Sequence, residues 1–403
     1  MYILYCQYSL QLFDIRYFRF ILTPIAGNSF RIFVLRCALN AGKTVSMLKE
    51  RLKGERRVLL SPEGAATLCR AHIDLMVESN AGIGLGFTDD DYRRVGCRIV
   101  DRSIAWKSDV VIKYKAPVPS EFKYFRAGAV IAAVMHAEGD MILTEALLTA
   151  GMTSYAFEFF RNWRGKFPLM TAGSTIAGYQ ALLFGVQHLQ SHLGGRGLLL
   201  ASERISPRVR VLVIGSGNVG AAAADLAVRM GAEVTVLCSC ARSLELFRKK
   251  SRAGINMAVN EPKRLRLELE RSDLVIGAIL VSTFDTPVMI SEDMVRSMKR
   301  GSVIVDATAG YGSGFIETSI RTTSLGNASY ERYGVLHIKI DNLPAAVPQS
   351  TVATVSRIYP PYLIRFLFSM FGRRADSISE NGLLTKGCNI IHPELRRHWE
   401  ARL

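Results

Sequence analysis

The chain predicts an α/β protein built from two doubly wound parallel sheets. Three observations carry that expectation. Apolar, β-rich runs alternate with helical segments from Met47 onward. The stretch Val211–Cys238, VLVIGSGNVGAAAADLAVRMGAEVTVLC, holds a strand, a glycine turn, a helix and a second strand in order. With 403 residues, 49% of them apolar, the chain is too long for one small core and suits two domains.

Residues 1–46 stand apart. They are rich in Tyr, Phe, Ile and Arg, hold one acidic residue (Asp14) and show no clean periodicity. They lack the ordered charged start, apolar stretch and small-residue site of a signal peptide. This segment is expected to be an extension, or to lie upstream of a true start at Met47. Residues 47–170 read as the first part of a catalytic domain, with strands at Arg57–Leu60, Ile73–Glu78, Cys97–Val100, Val110–Tyr114 and Val130–Val134. Ser61 is a helix cap with Pro62 at the first helical position and Glu63 in the first turn. Thr88 caps a second helix that opens Asp89-Asp90-Asp91, favourable against the helix dipole. The Gly82–Phe87 loop fails the GxGxxG spacing and precedes those three acids, so it reads as a structural turn. A helix around Ile176–Leu193 and a hinge at Ser206-Pro207 lead into the nucleotide unit, in a domain expected over 171–346. Its later strands are Leu274–Ala278, Ser302–Asp306 and Val335–Ile340, with Ser291 capping a helix between them. Residues 347–403 are expected to form helices that return to the first domain.

The glycine turn carries the most chemistry. Gly215 allows the tight turn, Gly217 lets the backbone approach a pyrophosphate, and Gly220 lets helix and strand pack closely. Gly215, Ser216, Gly217, Asn218, Val219 and Gly220 are therefore the expected cradle, with helix-start amides facing the phosphates. A carboxylate about 20 residues on would hold the ribose hydroxyls of NAD. Here that position is Cys238, and Arg242 nearby is a candidate for the 2′-phosphate of NADP or a plain solvated residue. The cofactor expected is NAD or NADP.

Composition narrows the rest. The formal net charge is +16, but the basic residues are scattered and not interleaved with stacking aromatics, so no nucleic-acid partner is expected. Seven cysteines form no metal spacing, which points to no metal and to a reducing cytoplasm. No run of 18 apolar residues occurs, so no membrane partner is expected.

In open α/β sheets ligands sit beyond the carboxyl ends of strands. Lys115 follows one such strand and His136 another. A lysine can bind a carboxylate or polarise a carbonyl, and a histidine titrating near neutrality can move the proton that accompanies hydride transfer. Arg57, in Glu55-Arg56-Arg57-Val58, could grip a substrate carboxylate bidentately. On spacing alone each has a bland alternative: a surface lysine, a loop histidine, a surface salt-bridge arginine.

Longer blocks add to this. KERLKGERRVLLSPEG, VESNAGIGLGFTDDDYRRVG, KYKAPVPSE, GGRGLLL, VLVIGSGNVG, SDLVIGAIL, RGSVIVDATAG, FIETS and IDNLPAAVP occur in order over some 300 residues. The chain from about Met47 to Ala345 resembles the alanine dehydrogenase and nicotinamide nucleotide transhydrogenase (alpha subunit) family, as a divergent member. The resemblance implies two Rossmann-like domains, the first discontinuous and completed by the C-terminal helices, with the active site in the cleft. It implies that Arg57 and Lys115 bind substrate, that His136 is the catalytic acid/base with Lys115, and that Ser174 lies beside the nicotinamide. Asp341-Asn342-Leu343-Pro344 is similar to the acidic-x-L-P turn of the saccharopine branch. That places Asp341 near the nicotinamide or the substrate amine, with a turn residue as the alternative, and Asn342 among the cofactor contacts. Two departures stand out: Cys238 replaces the ribose aspartate, and Gly310 falls where alanine dehydrogenases carry a catalytic aspartate.

The implied function is NAD(P)-dependent oxidoreduction at the C–N bond of an amino acid, alanine-dehydrogenase-like, with a 2-oxo acid as the other substrate. An opine- or saccharopine-type imine reductase is the alternative, and a non-catalytic nucleotide sensor is the alternative of another class. Family members are oligomers, so a homo-oligomer is expected by analogy.

Overall fold

The computed structural model describes residues 43–201, 204, 207–279, 287–308, 314–372 and 376–401. Residues 1–42, Ser206 of the expected hinge and Gly310 lie outside the described residues. The first part of the chain supplies strands β1 (Val45–Met47), β2 (Leu75–Glu78), β3 (Arg98–Val100), β4 (Val110–Lys115), β5 (Val130–Val134) and β6 (Thr153–Ala156). Helices α1 (Pro62–Arg70), α2 (Asp89–Arg94), α3 (Arg102–Ala105) and α4 (Met141–Thr149) connect them. Helix α5 (Met170–His188) crosses to the second sheet, built from β7 (Arg210–Ile214), β8 (Glu233–Cys238), β9 (Ile255–Val259), β10 (Leu274–Gly277), β11 (Val303–Asp306), β12 (Tyr330–Arg332) and β13 (Val335–Ile338). Its helices are α6 (Asn218–Arg229), α7 (Ala241–Arg248), α8 (Pro262–Arg271) and α9 (Glu292–Arg296). The tail adds α10 (Pro348–Ile358), α11 (Pro360–Met370), α12 (Ser377–Glu380), β14 (Leu383–Lys386), β15 (Asn389–Ile390) and α13 (Pro393–Glu400).

Both sheets have the doubly wound order. The first runs β15-β14-β6-β5-β4-β1-β2-β3 and the second β12-β13-β11-β10-β7-β8-β9. Strands β1–β6 pair in parallel, as do β7–β11 with β13. Strand order reverses between β1 and β4 and between β7 and β10, where the crevice of such a sheet opens. Parallel strands covered on both faces should read as continuous apolar runs, and β5, β7, β8 and β11 do, with core residues on both faces.

The helix starts follow the local chemistry. The Ser61 hydroxyl accepts from the Gly64 amide, Thr88 and Asp91 form a capping box, and Ser291 accepts from Met294. The Gly82–Phe87 loop is a structural turn. Gly86 is left-handed at φ 82°, and a Cβ on Gly84 would lie 2.6 Å from the Arg56 carbonyl oxygen.

Four expectations are corrected. Arg57–Leu60 is not a strand. Val58, Leu59 and Leu60 are fully buried, but the central slot is taken by β1, paired on both sides by β2 and β4. Strand β1 also begins at Val45, before the boundary expected at Met47. The helix read from Ile176 begins six residues earlier, at Met170. The tail is not helical throughout: β14 joins β6 in antiparallel pairing, with Ser154 and Thr385 hydroxyls 2.7 Å apart, and β15 folds back on it.

Candidate active site

Arg57 and Lys115 both lie on the carboxyl side of the first sheet's switch point, one on the loop after β1 and the other at the end of β4. Lys115 pairs in register with Val134 of β5, two residues before His136, so both candidate residues sit at neighbouring carboxyl ends. The β4–β5 register shifts just before Lys115, an irregularity that re-aims the last residue of a strand. Lys115 and His136 are half-buried.

His136 adopts φ 46°, ψ 36°, a left-handed conformation that costs a non-glycine residue roughly 1–3 kcal/mol. The carboxylate of the half-buried Glu158 holds it there, accepting from the Met135 amide at 3.0 Å and the His136 amide at 2.6 Å. Burial pushes the Glu158 carboxyl upward. Burial also works against a charged His136, and Lys115 adds to that, but the Glu138 and Glu158 carboxylates outweigh both and raise its pKa. His136 Nδ1 lies 3.9 Å from Glu138 Oε1.

Arg57 is only 2% exposed. Its Nε and Nη2 donate to the two oxygens of Glu55 at 2.7 and 2.5 Å, and Nη1 donates to Tyr114 Oη at 3.2 Å. The guanidinium also lies over the Tyr114 ring, 4.3 Å from its centroid. Three of its five N–H groups are thereby engaged. Arg57 is thus a buried ion-pair partner, not a surface one, and two of its N–H groups take no part in these bonds. Burial opposes the Glu55 carboxylate, yet Arg57 holds its pKa below the usual range. Glu50 lies beneath the same strand end and accepts from the Tyr114 amide at 2.7 Å, 3.9 Å from Lys113 Nζ. Burial raises its pKa to about 7. Lys113, fully buried, pairs with Glu121 at 2.7 Å, so the first lysine of Lys113-Tyr114-Lys115 is structural.

Across the cleft, Gly215 is at φ 108°, and a Cβ on it would lie 2.4 Å from the Ala278 carbonyl oxygen. A Cβ on Gly220 would lie 1.9 Å from the Gly215 carbonyl oxygen, whereas one on Gly217 would meet open space. That is the arrangement a pyrophosphate requires: a turn closed on the protein side and open toward the ligand. Ser216, Asn218 and Val219 complete the turn into α6, whose first amides are available to an anion. Ser174 lies on α5 one turn before Gly178, where a Cβ would meet the Val219 carbonyl oxygen at 2.2 Å. Helix α5 therefore carries Ser174 toward the glycine turn.

The ribose end differs from expectation. The Cys238 side chain is fully buried in the second domain's core and presents no surface to a ribose. The residues exposed there are Ser239, Cys240, Ala241 and Arg242 at the start of α7. Asp341 is exposed in the turn after β13. Asn342 beside it donates from Nδ2 to Glu55 Oε2 at 3.3 Å, which joins the carboxyl edges of the two sheets. Glu50, Glu55, Glu138 and Glu158 were not singled out from the sequence. Only Glu55, two residues before Arg57, carried a usable signal there. Among the described residues no His/Cys/Asp/Glu cluster could hold a metal, and no helix is long and apolar enough to cross a membrane.

Two family models match nearly the whole described body: alanine dehydrogenase/PNT, N-terminal domain, over residues 46–177, and alanine dehydrogenase/PNT, C-terminal domain, over residues 181–397. The chain belongs to the alanine dehydrogenase/PNT family. An alanine dehydrogenase of Staphylococcus epidermidis is 36% identical over 319 residues, 79% of this chain and 86% of that protein. A solved L-alanine dehydrogenase superposes with a TM-score of 0.80 at 30% identity, covering 89% of this chain and all of that one. A transhydrogenase from Sinorhizobium meliloti superposes with a TM-score of 0.71 at 25% identity, over 87% of this chain and 99% of that one.

Proposed function

We propose a division of labour among these residues, for a chain that as a family member is an NAD(P)-dependent amino-acid oxidoreductase. The observation that supports it is Glu55, bound to Arg57 on one side and to Asn342 on the other, which ties the carboxyl edges of the two sheets together. When bound, the nicotinamide exchanges a hydride with the substrate Cα. Lys115 binds the carbonyl oxygen of the 2-oxo acid, and its positive charge favours electron density there. Arg57 contributes its two unengaged N–H groups to the substrate carboxylate. His136 gives a proton to the leaving oxygen during amination and takes one from attacking water during deamination. Gly215, Gly217 and Gly220 admit the pyrophosphate, and Ser174 and Asn342 border the nicotinamide. Arg242 and the absence of a carboxylate at Cys238 favour NADP over NAD.

The substrate proposed is alanine with pyruvate. Gly310, in place of an aspartate, favours a second reading in which the amine is an amino acid and the product a secondary amine. NADH and NADPH oxidation with pyruvate plus ammonia, against pyruvate plus ornithine or lysine, separates them. Turnover with ammonia is the expected result. Turnover only with the amino acids would replace alanine chemistry with imine reduction, and cofactor binding without turnover on any amine would make the chain a sensor. His136→Ala should abolish turnover and leave cofactor affinity near its original value; surviving turnover would remove His136 from the mechanism. The free state of all five described cysteines favours a reducing, cytoplasmic setting, and the family resemblance favours a homo-oligomer.

A further inference from the structure

A carboxylate that none of the roles above uses lies beside His136. Glu138 sits in the turn Ala137–Gly139, tied at both ends: the Gly139 amide donates to the His136 carbonyl at 3.1 Å, and the Asp140 amide to Ala137 at 3.1 Å. The Asp140 side chain then caps α4 through the Leu143 amide at 2.9 Å. Helix α13 packs on the outside of this turn and brings the buried His398 toward Glu138. Glu138 is thus confined next to the imidazole. Its Oε1 is 3.9 Å from Nδ1, while its Oε2 is buried with no hydrogen-bond partner. A buried acceptor without a donor is costly, and moving the carboxylate about 1 Å would give it a charge-assisted hydrogen bond from Nδ1.

We propose that Glu138 is the positioning residue for His136: its carboxylate accepts a hydrogen bond from Nδ1–H and leaves Nε2 directed at the substrate. This rests on His136 being the acid/base. A carboxylate on one ring nitrogen selects the tautomer and stabilises the imidazolium that forms in each turnover. The charged groups facing His136 are Lys115 from β4, Glu158 after β6 and Glu138 itself, with His398 of α13 and His392 at its start acting on Glu138. Lys115 disfavours the imidazolium and the two glutamates favour it, so removing Glu138 shifts the balance downward.

The test compares Glu138→Gln, Glu138→Asp and the original chain in two measurements. One is the pH profile of kcat/KM for reductive amination, and the other is the His136 imidazole titration followed by NMR, assigned with His136→Asn. The expected result for Gln is a fall of about one pH unit in both the basic limb and the imidazole pKa, with KM changed less than kcat. Asp, which keeps the charge, should hold both near their original values. An unmoved limb and titration in Gln would overturn the proposal, as would an equal shift in Asp and Gln, since either means that the charge is irrelevant. If His136→Ala itself retains turnover, the acid/base assignment fails instead, and the imidazole titration still decides whether Glu138 acts on His136.

Discussion

Glu50 and Glu55 are carboxylates with little contact with solvent and Glu158 is half-buried, each beside a cation or a pair of backbone amides. Burying such a group is unfavourable unless it is paired, and these three are paired in different ways. Glu55 has Arg57, and its pKa falls; Glu50 has the Tyr114 amide and Lys113 at 3.9 Å, burial outweighs both, and its pKa rises from 4.5 to about 7. A raised carboxyl means that the folded state binds the proton more tightly than the unfolded chain. The stability Glu50 contributes is therefore complete below pH 4.5 and lost as pH climbs to about 7. Relative to Glu50→Gln, the original chain should lose about 3 kcal/mol of unfolding free energy across that window, with most of the change past by neutrality. Denaturant unfolding of both proteins at several pH values measures it, and parallel pH curves would mean that Glu50 is not the group responsible. Lys115 and His136 were legible in the sequence because each follows an apolar strand run. The glutamates were not, since a glutamate in a sequence reads as a surface residue until the fold shows what covers it.

At the scale of elements, the glycine turn separates two requirements that look alike as sequence. Gly220 serves packing: a Cβ there would lie 1.9 Å from the Gly215 carbonyl oxygen. Gly217 serves the ligand, because its Cβ position is open. Gly220→Ala should lose roughly 1–3 kcal/mol of stability along with cofactor binding. Gly217→Ala should melt at nearly the original temperature yet bind NADH or NADPH at least about tenfold more weakly. Thermal unfolding paired with cofactor titration distinguishes them, and equal losses of stability in the two variants would sink the distinction. The same locality explains which elements could be read. Capped helices such as α1 and α2 and the strand–turn–helix of β7 and α6 are set by neighbours a few residues apart. Arg57–Leu60 has a strand's composition, but a strand needs a partner, and the partners were already taken by β1.

Over the whole molecule, the first domain is finished by the end of the chain. Val352, Val355, Tyr359, Leu363, Phe366 and Leu367 are buried in the core formed around β1, β2 and β4. Six such side chains contribute roughly 9–18 kcal/mol as an upper estimate, comparable with the entire stability of a domain. Removing residues 347–403 should therefore leave a chain without a cooperative thermal transition, and a truncated protein that melts sharply near the original temperature would contradict this. The single hydrogen bond from Asn342 to Glu55, 287 residues apart, shows how the two carboxyl edges come to share one cleft.

The sequence by itself determined the parallel α/β class, the dinucleotide turn, the main helix caps and the places of Lys115 and His136 at the ends of apolar strand runs. Each of these depends on steric or hydrophobic rules acting over a few residues. Tertiary structure alone decided that Arg57 is clamped by Glu55, that Cys238 belongs to the core, that β1 is central, and that Glu138 and Glu158 flank His136. Those outcomes depend on which distant segments exclude water from a charge, and no local pattern encodes that.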